Sequence, residues 1–409
     1  MALNRYRGNS LTTVAQAYRG TITSTTGAHT YISTVTDDQG VTHADTYTLT
    51  GSEGTVTAVG DAVVASFNAN PDPYLRKLIA TNNAGVITFT ARTAGEPFSI
   101  ALTGTGSWGS AAEFTANVGE SDLGVATNWT DGYPTSSDDL VCDETSPDLL
   151  YSLNVSAVAI TSFHTTPRFS GDIGRTFAGQ LHRLRIDPDT ITIRGSSEFI
   201  AIGIGSAAIP ITVEHDRGAS LDAPAVWLDG SAVTNLNVLD GNVAFAGWAG
   251  QSGTITGTIT VTDDATLLLG GPLSTLTLTG AVLVASGTSE TLAYQSVPTM
   301  RLNEKATVID RSTATVTLAE VGELATLRVE AAKTITDLTL NGTLDLSIGS
   351  GAVTVTNTIV MTAKAKIIDP HRRLAANTTW QVLGGTVGRN GQSAPALDFG
   401  TNRTFRLIS

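Results

Sequence analysis

The chain has 409 residues and a net charge of −13, from 24 basic and 37 acidic side chains. Charged residues make up only 15% of it, against about 25% in an average soluble domain. Few charges, many Thr, Val, Leu, Ile and Ala, and 41 glycines exclude a coiled coil, a helical bundle and ordinary disorder, and favour a mainly β protein. In chain order, residues 1–13 come first. They carry Arg5 and Arg7, and Arg19 follows. All three precede the first acid, Asp37. This stretch reads as a flexible docking arm, with Arg5, Arg7 and Arg19 as its cationic contacts.

Residues 14–106 read as a compact α+β module. Alternation predicts strands at Tyr18–Ser24, His29–Thr36, Ala44–Thr50, Leu78–Thr81, Val86–Ala91 and Phe98–Thr103. Val59, Ala62, Val63 and Phe67 have helical spacing, with Asp61 expected in the first turn, where a carboxylate suits the dipole. Asn70-Pro71-Asp72-Pro73 ends that helix, because a proline cannot continue it. Residues 107–150 are irregular and read as a linker and an N-terminal cap for a solenoid. Within them Trp129 and Tyr133 stand among turn formers, which predicts an ordered loop packing a ring against the solenoid end. A sugar-stacking tryptophan is the alternative.

Residues 151–370 hold short apolar strands cut by Gly, Asp, Asn and Ser. The phrase starting Ile259-Thr-Val recurs at Met300-Arg-Leu and again at Ile359-Val-Met. Each apolar pair at i and i+2 is followed by a polar corner and an apolar residue at i+8. A second phrase aligns Leu236, Leu276 and Leu338. The separations fall near multiples of about 20 residues, a length that fits one coil of a right-handed parallel β-helix. A β-sandwich that reuses Thr-Leu phrases is the competing fold. Residues 371–409, with His371-Arg372-Arg373 and Trp380, break the pattern and read as a C-terminal cap.

Chemistry-bearing residues are sparse. Cys142 is the single cysteine, which excludes an intrachain disulfide framework and predicts an inert buried thiol. The histidines His29, His43, His164, His182, His215 and His371 show no ligand-like spacing, so neither a metal nor a cofactor is expected. Carboxylate clusters at Asp138/Asp139, Asp143/Glu144, Asp187/Asp189, Glu214/Asp216 and Asp263/Asp264 are the only catalytic candidates. Glu214 and Asp216 share a strand face, as a polysaccharide-cleaving groove needs. The corner positions of these clusters favour turn roles, with a calcium site at Asp138/Asp139 or Asp263/Asp264 as the alternative. No catalytic residue is assigned. The acidic balance argues against nucleic-acid binding. No apolar run is long enough for a membrane-spanning helix, so none is expected. Residues 1–20 lack a signal peptide's apolar stretch, so synthesis in a cytoplasm is expected, and the Asn-x-Thr/Ser sequons read as products of a Thr-rich composition.

Two segments resemble tailed-bacteriophage virion proteins. One runs through Tyr47-Thr-Leu-Thr, Asp61-Ala-Val-Val-Ala-Ser-Phe-Asn-Ala-Asn and Val86-Ile-Thr-Phe-Thr-Ala-Arg-Thr-Ala-Gly95-Glu-Pro97-Phe98. The other runs through Asn128-Trp129, Gly132-Tyr-Pro134-Thr, Asp138-Asp139-Leu-Val and Phe169-Ser-Gly171-Asp-Ile-Gly174. The resemblance implies a non-enzymatic virion component, a fibre, a spike or an accessory protein of capsid or tail. It would attach through its N-terminal module, project a β-helical body and assemble as a homotrimer. Other virion proteins would be its partners, with a host-surface glycan or protein as a further one. The alternatives are a tailspike depolymerase and a bacterial β-solenoid adhesin.

Overall fold

Alternating apolar residues, turn-forming corners and one capped helix build the elements seen in a computed structural model. It describes residues 3–8, 12–37, 40–205, 208–216, 223–295, 297–376, 379–383, 386–388 and 405–406. The protein is mainly β, with a small N-terminal β/α region and a parallel β-solenoid of about 11 turns. No helix among the described residues is long and apolar enough to cross a membrane. Two compact units divide the chain. The first holds Ala2–Ala157 and Gly171–Leu184, and the second holds Val158–Ser170 and Arg185–Ser409.

In the first unit, β2 (Ala17–Ile22), β3 (Thr30–Thr36), β4 (Thr42–Thr48), β5 (Leu78–Asn83), β6 (Val86–Ala91) and β7 (Ser99–Thr103) fall where the alternation predicts them. With β8 (Trp108–Thr115) they form two antiparallel sheets, ordered β5-β6-β2-β8 and β4-β3-β7. Helix α1 spans Val56–Ala69 and lays Val59, Val63 and Phe67 on the core beside Leu78, Ile87 and Phe89. The Phe67 and Phe89 rings meet edge to face at 4.9 Å. Thr55 caps α1, its hydroxyl accepting from Ala58 N at 3.1 Å. The helix therefore starts earlier than expected, and Asp61 lies in its second turn. Instead of meeting the dipole, Asp61 accepts from Asn82 Nδ2 at 2.8 Å. At Gly60 a Cβ would lie 2.6 Å from the Asn82 side chain, which would have to shift to admit it.

Three boundaries differ from expectation. Residues 3–8 are not a free arm. β1 (Leu3–Tyr6) pairs in parallel with β9 (Asp139–Cys142), and Asn4 and Tyr6 are fully buried. A short strand with two buried side chains and a partner ladder is held in place whatever its charge. The module also runs past residue 106, because β8 pairs with β2. Trp129 packs its ring on Tyr6 of this unit at 5.0 Å and donates through Nε1 to Leu123 O at 3.0 Å. Its 3% exposure leaves no face for a sugar. The expected C-terminal cap is likewise incomplete as a description. Arg373 and Trp380 belong to the coils, while the rest of 371–409 lies mostly outside the described residues.

The second unit is a stack of coils with parallel pairing throughout, which excludes the sandwich. One inward row runs Phe163, Ile191, Ile211, Leu236, Ile259, Leu283, Met300, Ala319, Leu338, Ile359, Trp380. Every member is at most 1% exposed. The phrases at Ile259, Met300 and Ile359 thus occupy one row, two and then three coils apart. The second phrase does not hold together. Leu236 and Leu338 lie in this row, but Leu276 pairs with Gly253 in a different one, because Thr-Leu phrases recur by composition. Outside, charges pair between register partners of successive coils: Arg194–Glu214 at 2.8 Å, Arg301–Glu320 at 3.0 Å and Arg328–Asp345 at 3.0 Å.

Inward and outward positions should therefore respond very differently to mutation. Ile359→Ala is expected to cost about 2–5 kcal/mol, as a buried large-to-small change. Glu320→Gln is expected to cost less than about 1 kcal/mol, as loss of an exposed pair. Thermal midpoints of the two variants compared with the parent check this ordering.

Candidate functional site

The densest convergence of polar chemistry lies in the first unit, around Tyr74. Pro71 and Pro73 stop α1, and Asp72 organises the turn that follows. Its Oδ1 accepts from Tyr74 N at 2.7 Å, which starts the short 3₁₀ segment Leu75–Lys77. This sets Tyr74 and Lys77 toward a hairpin of Arg175–Phe177 and Gln180–His182. His43, projecting from β4, stacks on the Tyr74 ring at 3.9 Å. Its Nδ1 lies 2.9 Å from Asp72 Oδ2 and its Nε2 3.7 Å from Asp37 Oδ2. The Tyr74 hydroxyl meets His182 Nε2 at 3.0 Å. Glu96 Oε1 accepts from Lys77 Nζ at 2.6 Å and from Arg175 Nη1 at 3.3 Å. Lys77 Nζ stands 3.8 Å above the Phe177 ring, and the Arg175 guanidinium 4.5 Å above Tyr151.

Asp37, Tyr74, Lys77, Glu96, Arg175 and His182 line a cleft of about 240 Å³, and Asp37 and Tyr74 also line the neighbouring hollow beside His43, Asp72 and Gln180. Its two cations share one carboxylate, and its aromatic faces are covered by charge or by another ring. That arrangement can clamp the hairpin to the module, through cation–π contacts and partly buried ion pairs. Burial pushes the Asp72 carboxyl up, but the His43 hydrogen bond and the Tyr74 and Leu75 N–H groups outweigh it and hold it below its ordinary 3.8.

No family of known proteins, no curated protein and no solved structure matches this chain.

The residues singled out from sequence are scattered. Arg5 pairs with Asp143 at 3.2 Å, Arg7 donates to Thr145 Oγ1 at 2.9 Å, and Arg19 lies over the Phe114 ring at 3.3 Å. Arg5 and Arg7 meet at the Asp143–Thr145 turn, while Arg19 has a separate partner. Asp143 is pulled below the ordinary value despite its burial, by the Thr145 hydroxyl and N–H and then by Arg7 and Arg5. Asp138 accepts from Thr135 N at 2.8 Å and so closes a turn. Cys142 is 1% exposed, and burial, helped by Asp143, pushes its thiol up. Glu214 is held by Arg194, its register partner. Asp263, Gly287 and Glu304 occupy the same corner of three successive coils, all with positive φ, at 51°, 65° and 54°. This is the corner role that the Asp263/Asp264 cluster was expected to play, with Asp264 accepting from the Thr288 hydroxyl. Among the described residues no three potential ligands converge on a metal position. Trp227 and Trp248 meet edge to face at 5.2 Å on the solenoid.

The sequence reading did not find the Tyr74 cluster. Its members come from residues 37–43, 72–77, 96 and 175–182, and no spacing rule links them. The only local signal was the Pro-Asp-Pro turn.

Asp72 generates a pH prediction. A carboxyl whose folded pKa is depressed adds stability that is present above the unfolded value, here 3.8, and is lost as pH falls through the lower folded value. Asp72→Asn is therefore expected to lower the thermal midpoint at neutral pH. The gap from the parent should narrow as pH drops below 3.8. A gap that stays constant down to pH ~2 would show that this linkage is absent.

Proposed function

We propose that this chain is a non-enzymatic structural component of a tailed-bacteriophage particle, either a fibre or spike or an accessory protein of capsid or tail. Its N-terminal module would attach it and its solenoid would be the working body. The observation that supports this most is the unbroken inward row from Phe163 to Trp380, every member of which is at most 1% exposed. Tightly wound coils with short corners and coil-to-coil ion pairs suit a body that must persist outside a cell. Fibre, spike and adhesin-like roles all use such a fold. The resemblance of the N-terminal and 128–174 segments to virion proteins favours the particle. A homotrimer and a host-surface partner belong to the same reading. Arg5, Arg7 and Arg19 remain the proposed docking residues, reached from side chains that are already partnered rather than from a loose tail. Glu214 already engages Arg194, which weighs against the depolymerase reading.

Two measurements test this. The protein is expected to sediment with purified particles from lysed cells, in a fixed ratio to the shell protein by quantitative mass spectrometry. Recovery on the surface of uninfected cells instead would favour an adhesin. Incubation with capsular or O-antigen polysaccharide is expected to release no reducing ends. Release that Glu214→Gln abolishes would make the protein a depolymerase.

A further inference from the structure

One pair of side chains breaks the apolar rule inside the solenoid. Asp310 has Ala293 and Val329 as register partners on the adjacent coils, both buried. Lys333 has Val353, also buried, as its partner. Yet the Lys333 and Asp310 side chains are 0% and 1% exposed, with Nζ 2.9 Å from Oδ1. Nζ also donates to Ser312 Oγ at 2.6 Å. The Ser312 backbone N–H donates to the same Oδ1 at 2.9 Å. Two positions that could hold Val or Ala instead hold charges, whose removal from water is costly. Burial draws the Lys333 amine below its ordinary value, against the pull of Asp310. Nearby, the buried Arg373 donates to the carbonyls of Val329 and Ala331, so a second cation is anchored beside the segment that carries Lys333.

We propose that Lys333 and Asp310 become joined by an isopeptide bond formed by the folded protein itself. The reaction is a condensation of an ammonium and a carboxylate to an amide and one water, with nothing oxidised or reduced. Proton transfer from Nζ to the carboxylate gives a neutral amine and a neutral acid, which removes both charges from the dry site. The Nζ lone pair then attacks Cγ of Asp310. The Ser312 N–H already points at Oδ1, where negative charge develops during the attack. Ser312 Oγ, in contact with Nζ, takes the proton that the attacking amine sheds and passes it to Oδ2. The Cγ–Oδ2 bond breaks, Oδ2 leaves as water with the two protons lost by nitrogen, and the Nζ–Cγ bond remains. Holding the reactants in contact supplies the high effective concentration that such a step needs. The link would join neighbouring coils and replace a costly buried ion pair with a neutral amide. Ser312 touches both reacting groups and is the catalytic residue of this step.

The test weighs the purified full chain under denaturing conditions. We expect a mass one water below that of the sequence. We also expect a branched tryptic peptide joining residues 306–311, through Asp310, to residues 329–364, because trypsin does not cut after a modified lysine. Lys333→Met should restore the full mass and remove the branched peptide. Ser312→Ala should slow formation of the link by about 10²-fold. A parent chain of full mass that is cut normally after Lys333 overturns the proposal. A water loss mapped to any other residue does the same. A Ser312→Ala chain that links as fast as the parent removes the serine from the mechanism.

Discussion

Parallel register between consecutive coils is the constraint on which the rest of the second unit depends. Each inward residue sits on the one a coil earlier, so every coil must return to the same phase before it can bury anything. The coils from Ile191 onward differ in length, yet the row from Ile191 to Trp380 never slips. Variation in length is absorbed in other connections, such as Leu269 to Val282 against Ala293 to Thr299, while the corner at Asp263, Gly287 and Glu304 keeps one length and the left-handed conformation. A glycine is the easiest residue there, and Asp is tolerated because its short side chain bonds locally. A one-residue slip would turn a strand's apolar set outward, which is why the inward positions are held so strictly.

The same register decides where charge can go. On the outer face, stacked positions bring Arg194 to Glu214 and Arg301 to Glu320 as direct partners, so ion pairs follow the ladder. These pairs are half exposed and individually weak. Inside, a charge has no water to turn to, and it persists only with a complete set of partners. Arg373 meets that condition through backbone carbonyls of the two preceding coils, among them Val329, Ala331 and Gly351. Its own N–H donates to Asp369 Oδ1 at 2.7 Å. The guanidinium therefore ties three coils together at a place where corner carbonyls would otherwise be orphaned.

Much of this was legible in the sequence, for a physical reason. Stacking forces an apolar pair at i and i+2, then a corner, then another apolar residue, and so Ile259, Met300 and Ile359 betray the coil. β2 to β7 were legible through simple alternation over a half-buried sheet. What was missed lacks local signal. β1 pairs with β9 by setting Leu3 against Asp139, and parallel partners so distant in the chain leave no mark on either segment. β8 is mostly exposed, with Gly109, Ser110, Ala111 and Ala112 in place of β-branched residues. Leu276 misled because a Thr- and Leu-rich chain repeats short phrases without repeating geometry. The Tyr74 cluster was invisible because hairpin 175–182 returns to the first unit after the chain has entered the second.

A unit whose residues meet mostly the coil before and the coil after has an energy close to a sum over neighbouring coils. Its strength is therefore modular. Outside the stretch tied by Arg373 and by a Lys333–Asp310 link, tension on the chain would strip coils singly, each release exposing the next inward residue of the Phe163–Trp380 row, and the recorded force would fall and recover once per coil. Loss of one coil in the middle would not bring down the whole, because the coils on each side keep their remaining neighbours.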